Sequence, residues 1–389
     1  MQDTLLKEIQ DLEQKGLRRR LRKVEGSQGR RLTIDGKELL NLCSNNYLGL
    51  ADDPRLKRAM IACIEKDGVG SGASRLVCGN MSMHEALEKK LEEFKGTEAA
   101  LVFSTGYMAN VGAISSLLSR EDVIFADKLN HASIIDGILL SGAEFKRYAH
   151  NDMNSLEESL KKTEGFKKRA IITDSVFSMD GDCAPLKEIV HLAQKYDCTV
   201  MVDEAHAIGV FGKKGCGLVE HLGLENKIDI QMGTLSKAAG SFGAYVCGKK
   251  ILIDFLINKA RSFIYTTALP PAVCAASLEA LKIIEGEPQR RKQLWENTKY
   301  FKVELERLGF DTMNSKSPII PLLIKDSKLA VDFSKELFDK GILVQAIRPP
   351  TVPANTARLR VTVMATHTRE DLDFTLKKFS AVGKKICLI

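Results

Sequence analysis

An apolar run, Thr199-Val-Met-Val, ends in Asp203, and His206 follows just beyond it. A carboxylate at the end of a buried strand is costly to desolvate unless a cation faces it. A second run ends in Gly233-Thr-Leu-Ser-Lys237, which places a lysine just past a strand end beside Thr234 and Ser236. Such a pair is either a structural ion pair or an amine and a carboxylate that act on one ligand. Pyridoxal 5′-phosphate demands both groups: its aldehyde requires an amine, and its ring nitrogen requires a carboxylate to stay protonated as an electron sink. It also requires a phosphate cradle. Ser104-Thr-Gly-Tyr107 supplies one, between the apolar run 99–103 and a helix starting near Met108. Gly106 lets the backbone approach closely, and free N–H groups at the helix start favour an anion.

A rival reading uses the same letters. Asp203-Glu-Ala-His206 also spells a nucleotide-hydrolysing box of one helicase class, which needs a P-loop upstream on a strand–helix turn. The nearest match, Gly243-Ala-Tyr-Val-Cys-Gly-Lys-Lys250, lies downstream and lacks the magnesium-binding hydroxyl. The basic run Arg18-Arg-Arg-Leu-Arg-Lys23 is then a solvated helix end or a contact for an acidic ligand, and no nucleic acid is expected as a partner.

These residues need a scaffold, and the chain is long enough for one. Its 389 residues, 44% hydrophobic and 28% charged, suit a globular enzyme larger than a single core usually organises. The net charge of +7 is modest. No stretch has the roughly 18 apolar residues that span a bilayer, and the N-terminus has no signal-type apolar core, so a cytoplasmic protein with no membrane partner is expected. The 9 cysteines form no C-x-x-C pair and read as reduced structural thiols, with no metal site.

A charged amphipathic helix is expected over 3–23. From residue 84 the pattern alternates: helix 84–95, strand 99–103, helix 108–118, strand 123–126, helix 133–141, strand 170–173, helix 186–196, strand 199–202, then strands at 228–232 and 244–247. Strands apolar on both faces and separated by helices imply an α/β fold with a mostly parallel sheet, which binds ligands at the carboxyl ends of its strands. Beyond Glu285-Gly-Glu-Pro288 the order becomes helix 290–308, strand 319–324, helix 328–340, strand 342–347, strand 358–363 and helix 369–382, a small α+β domain. The expected division is an N-terminal helix and arm (1–45), a large cofactor-binding domain (46–288) and a small C-terminal domain (289–389).

With these segments in place, the sequence resembles the α-oxoamine synthases, fold-type-I pyridoxal-phosphate enzymes, over essentially its whole length. The resemblance rests on Ser44-Asn-Asn-Tyr-Leu-Gly49, Gly70-Ser-Gly-Ala-Ser-Arg75, Asn130-His-Ala-Ser133, Phe177-Ser-Met-Asp-Gly181, Asp203-Glu-Ala-His206, Thr234-Leu-Ser-Lys237, Phe263-Ile-Tyr-Thr-Thr267 and Arg358-Leu-Arg-Val361. Ala207 departs from it, standing where glycine or serine is frequent.

The resemblance implies that Lys237 binds the cofactor covalently and then acts as general base. Asp203 meets the ring nitrogen, His206 the ring oxygen and His131 the ring face. Ser178 and Thr234 hydrogen-bond the cofactor, and the Gly106–Tyr107 backbone holds its phosphate. Arg360, with Asn45 nearby, takes the amino-acid carboxylate; Arg18 and Thr351 contact the acyl substrate. Thr266 or Thr267 reaches the phosphate of a partner subunit, which implies a homodimer. The implied reaction is decarboxylative condensation of an amino acid with an acyl-CoA or acyl-carrier-protein thioester. The loop Ala346-Ile-Arg-Pro-Pro-Thr-Val-Pro353 most resembles members that join alanine to a pimeloyl thioester. Members that join glycine to acetyl-CoA, and a catalytically silent partner subunit, remain the alternatives. His84, His150, His191, His221 and His367 carry no motif and read as core or surface residues.

Overall fold

The computed structural model describes residues 1–14, 17–19 and 21–389. After a first helix comes a small antiparallel ribbon: β1 (Val24–Glu25), β2 (Arg31–Ile34) and β3 (Lys37–Asn41). A central sheet follows, built from β4 (Ala99–Phe103), β5 (Val123–Asp127), β6 (Glu144–Tyr148), β7 (Arg169–Asp174), β8 (Thr199–Asp203), β9 (Ile230–Thr234) and β10 (Ala244–Gly248). Its order is β4-β10-β9-β8-β7-β5-β6. The strands from β9 through β6 run parallel, whereas β10 is antiparallel to both its neighbours.

The near-continuous apolar runs follow from burial on both faces. Val200 and Val202 of β8 enter one hydrophobic core, with Leu87, Ile189 and Leu281 from helices on that side. Met201 enters a second core on the opposite face, with Ala113, Ile138 and Leu256. Successive side chains of a strand point to opposite faces, so a doubly covered sheet leaves few polar positions before the strand ends; Gln231 of β9 is one. Helix Pro271–Gly286 escaped the sequence reading for a related reason. Ten of its residues are buried, so it has no single apolar stripe to betray its period. Half-exposed β6, with its charged Glu144, Lys146 and Arg147, escaped because it is an edge strand.

The C-terminal part has its own core around Phe301, Phe310, Phe333 and Phe379. The expected strand over 342–347 is two strands in two sheets. β12 (Ile342–Leu343, after β11, Ile319–Lys325) pairs parallel with β3, and β13 (Gln345–Ile347) pairs with β14 (Ala357–Thr362). β11 completes the β11-β14-β13 sheet. The N-terminal ribbon is thereby tied to the C-terminal part. The first helix is shorter than expected, Gln2–Gln14, with no buried residue. Of the basic run, Arg18, Arg19, Arg22 and Lys23 lie outside it, and Arg20 falls outside the described residues.

Candidate active site

The carboxyl ends of the parallel strands converge. β5 ends in Asp127, β7 in Asp174, β8 in Asp203 and β9 in Thr234, and Asp174 and Asp203 are register partners. Lys237 sits in the loop that reverses the chain between β9 and β10. Leu235 N donates to Gly243 O and Gly240 N to Lys237 O, closing the loop tightly. Gly240 has φ +63°, and a Cβ there would lie 2.3 Å from Ala51 N, so only glycine fits.

Burial pushes the half-buried Lys237 ammonium down to about 8, against the pull of Asp203 and Asp174; Arg360 adds to the lowering. A usable fraction of free amine is therefore present near neutral pH. Burial, with the charge of Asp203 beside it, pushes the Asp174 carboxyl well above the usual carboxylate range. His131 N (2.7 Å) donates to Asp174 Oδ2. The buried Asp203 carboxylate accepts from Asn110 Nδ2 and from Ala205 N, both at 2.8 Å.

His206 is buried, and burial, with the Lys237 charge next, pushes its imidazolium well below the ordinary range, so the ring is neutral. Tyr47 OH lies 2.6 Å from Nδ1. Burial pushes that phenol up to about 12, so it keeps its proton. In the tautomer that accepts the Tyr47 hydroxyl at Nδ1, the neutral imidazole carries its proton on Nε2 and offers a donor there. His131 caps helix Ala132–Ser141, its Nδ1 accepting from Ser133 N, and its ring is exposed.

Arg360, on β14, is buried yet has no Asp or Glu in ion-pair range among the described residues. It donates instead to Ser178 O (2.6 Å), Thr362 Oγ1 (2.9 Å) and Asn45 Oδ1 (3.0 Å). Its neighbour in sequence, Arg358, is by contrast paired with Asp180 at 2.6 Å. A buried guanidinium left without a carboxylate is a receptor for one.

Gly106 and Tyr107 open helix Gly106–Leu117. Thr105 caps it by accepting from Met108 N at 3.1 Å, which leaves the first two amides without helical acceptors. A Cβ on Gly106 would come 3.2 Å from Met232 Cε, so the backbone is held against β9. Thr234 Oγ1 lies 2.7 Å from Ser236 Oγ across the same mouth. An amine, a carboxylate, a neutral imidazole and an anion cradle together fit pyridoxal phosphate. One buried polar atom beside them, Asn110 Oδ1, lacks a partner among the described residues.

Lys237, Asp203, His206, His131, Thr234, Gly106, Tyr107, Ser178, Asn45 and Arg360 thus belong to one mouth. Arg18 and Thr351 share no hydrogen bond among the described residues. Arg18 is exposed and paired with Glu13 at 2.8 Å, and it is Arg19 whose Nη2 lies 3.5 Å from Thr351 Oγ1. Glu204, of the helicase-like box, is buried in an ion pair with Lys95, and Gly243–Lys249 runs through β10. Asp174 was missed although it ends an apolar run just as Asp203 does. Tyr47 and Asn110 gave no separate signal.

The architecture is that of a fold-type-I pyridoxal-phosphate transferase. The model of the family "Aminotransferase class I and II" matches residues 37–379. An 8-amino-7-oxononanoate synthase of Thermosipho melanesiensis is 52% identical over 383 residues, covering 98% of both chains. The serine palmitoyltransferase of S. paucimobilis, solved with bound PLP–myriocin aldimine, superposes with a TM-score of 0.95 at 34% identity, covering 100% of this chain and 98% of that one. The 8-amino-7-oxononanoate synthase of Francisella tularensis gives 0.78 at 31% identity over 89% of this chain and 98% of its own. The chain belongs to the aminotransferase class I and II family and, within it, to the α-oxoamine synthases.

Proposed function

We propose that this chain condenses L-alanine with a pimeloyl thioester, giving 8-amino-7-oxononanoate, CO₂ and free CoA or carrier protein, as a step of biotin biosynthesis. The amino-acid half is carried by one observation: the buried Arg360 guanidinium has no carboxylate of its own among the described residues. The acyl half is supported by the Thermosipho relative at 52% identity.

Lys237 would hold the aldehyde carbon of pyridoxal phosphate, Asp203 its ring nitrogen, His206 its phenolic oxygen and His131 its ring face. Ser178 and Thr234 would hydrogen-bond it, and the Gly106–Tyr107 amides would hold its phosphate. When bound, the cofactor supplies a ring that accepts the electron pair released as a bond at Cα breaks. Arg360 and Asn45 orient the alanine carboxylate, which fixes which Cα bond faces Lys237. The Lys237 amine, kept partly deprotonated by burial, takes the Cα proton. Cα then bonds to the thioester carbon and the thiol leaves. The original carboxylate departs as CO₂, and a proton returned to Cα gives the amino ketone.

The working unit in this reading is a homodimer, with Thr266 or Thr267 reaching the partner's phosphate. Exposed Val69, Leu76, Val77 and Tyr265 support it. Arg18 and Thr351 contact the acyl chain in the same reading, with Arg19 now beside Thr351. The separate cores support a large domain over 46–288 and a small one over 289–389, with the 1–45 arm attached through β3 and β12. No helix among the described residues is long and apolar enough to cross a membrane, and all cysteines are free thiols, which supports a cytoplasmic location.

Product analysis by mass spectrometry tests the reading. Pimeloyl thioester with alanine should exceed acetyl-CoA with glycine by at least about tenfold in kcat/KM, roughly 1.4 kcal/mol. The reverse preference overturns the acyl assignment and leaves the family standing. No turnover with any pair would favour a silent partner subunit.

A further inference from the structure

A second cavity, of about 840 Å³, lies apart from the residues assigned above. Its walls come from helix Leu186–Lys195, the turn around Phe211, helix Leu218–His221 and helix Pro288–Arg307. This volume is within the range that small organic ligands occupy. One wall is aromatic. Phe211 meets Trp295 edge-on at 5.1 Å between centroids and His221 at 5.9 Å. Trp295 Nε1 donates to Val210 O at 2.9 Å, so the indole has its polar atom satisfied and its ring held in place.

The remaining lining is strongly one-sided in charge. Lys187, Lys292, Lys316 and Arg291 contribute, against the carboxylate of Glu188. Neither Lys187 nor Lys316 has a carboxylate in ion-pair range among the described residues. Lys292 has only an exposed contact to Glu296 at 3.8 Å, which is worth little. Arg291 is buried and spends its guanidinium on the carbonyls of Ile284 and Lys213. Aromatic side chains and an excess of cations lining one cavity match a flat apolar body that carries an anionic group. We infer that this cavity is a binding site for a small aromatic or conjugated anion, separate from the pyridoxal site. Cys183 of the lining directly follows Asp182, so an occupant would touch the segment that continues from Ser178.

The chain has one tryptophan, and it lines this cavity, which makes a direct assay possible. The holoenzyme would be titrated with 8-anilinonaphthalene-1-sulfonate while Trp295 emission and sensitised probe emission are followed. The expected result is saturable energy transfer that persists with saturating alanine and thioester. A Lys187→Glu, Lys316→Glu double variant should weaken probe binding at least tenfold while turnover is unchanged. Non-saturable transfer, displacement by the thioester, or equal affinity in the double variant would each overturn the inference. Lys187→Gln, a milder change on an exposed side chain, should give an intermediate affinity; wild-type affinity there would count equally against it.

Discussion

Replacing His150 by leucine should destabilise the protein in a pH-dependent way. Its Nδ1 lies 2.9 Å from Asp127 Oδ1 at the end of β5, and its Nε2 lies 2.9 Å from Asp182 Oδ2 in the loop carrying Ser178. The ring also meets Phe177 edge-on at 4.4 Å. Burial opposes the charge, but the two carboxylates outweigh it and hold the imidazolium up at about 10, against an ordinary 6.5. The difference of 3.5 units corresponds to a ceiling of about 5 kcal/mol. Asn151 also donates to both carboxylates, at 2.9 and 2.8 Å, so they keep some support, and about 2–4 kcal/mol is expected near pH 6. A raised pKa in the folded state makes this contribution full below 6.5 and loses it as pH rises through about 10. Urea midpoints of wild type and variant at pH 6, 7, 8 and 9 would measure the gap, which should shrink to about a third of its pH 6 value at pH 9. A gap that stays constant across this range would mean that His150 is neutral, and would refute the clamp.

Other perturbations address the chemistry. Lys237→Ala should abolish covalent retention of the cofactor and nearly all turnover; after borohydride treatment, a label on another lysine such as Lys249 would move the site. Asp203→Asn should leave the fold intact but strongly slow exchange of the alanine Cα proton for deuterium, since the ring nitrogen loses its carboxylate; wild-type exchange by NMR would refute that role. Arg360→Leu should weaken alanine binding by roughly ten- to a hundredfold, the worth of about 1.5–3 kcal/mol for a charged hydrogen bond, while cofactor binding stays near normal. Arg360→Lys should rescue little, because it lacks the planar fork that reaches Ser178 O, Thr362 and Asn45 together. An unchanged alanine titration in either variant would show that another group holds the carboxylate.

Much of the site was legible because its chemistry sits where apolar runs stop. Asp203 and Thr234 mark strand ends and Lys237 lies just past one, and a doubly buried strand admits polar residues mostly there. Asp174 carried the same mark and was passed over because it lacked a cation nearby in sequence; the cation is Lys237, brought close by the pairing of β7 with β8 and of β8 with β9. His150 had no signal at all, since its partners come from separate segments, Asp127 from the end of β5 and Asp182 from the loop after β7. The sequence by itself determined the alternation of helix and strand, the double burial of the central strands, and the placing of Asp203, Thr234 and Lys237 at or just past strand ends, because these depend on side-chain period and type. Tertiary structure alone decided that β10 runs antiparallel, that 342–347 divides between two sheets, and that Arg360 reaches the mouth without a counter-ion among the described residues. Strand direction, sheet membership and charge neutralisation depend on which distant segments meet, and local sequence places no constraint on that.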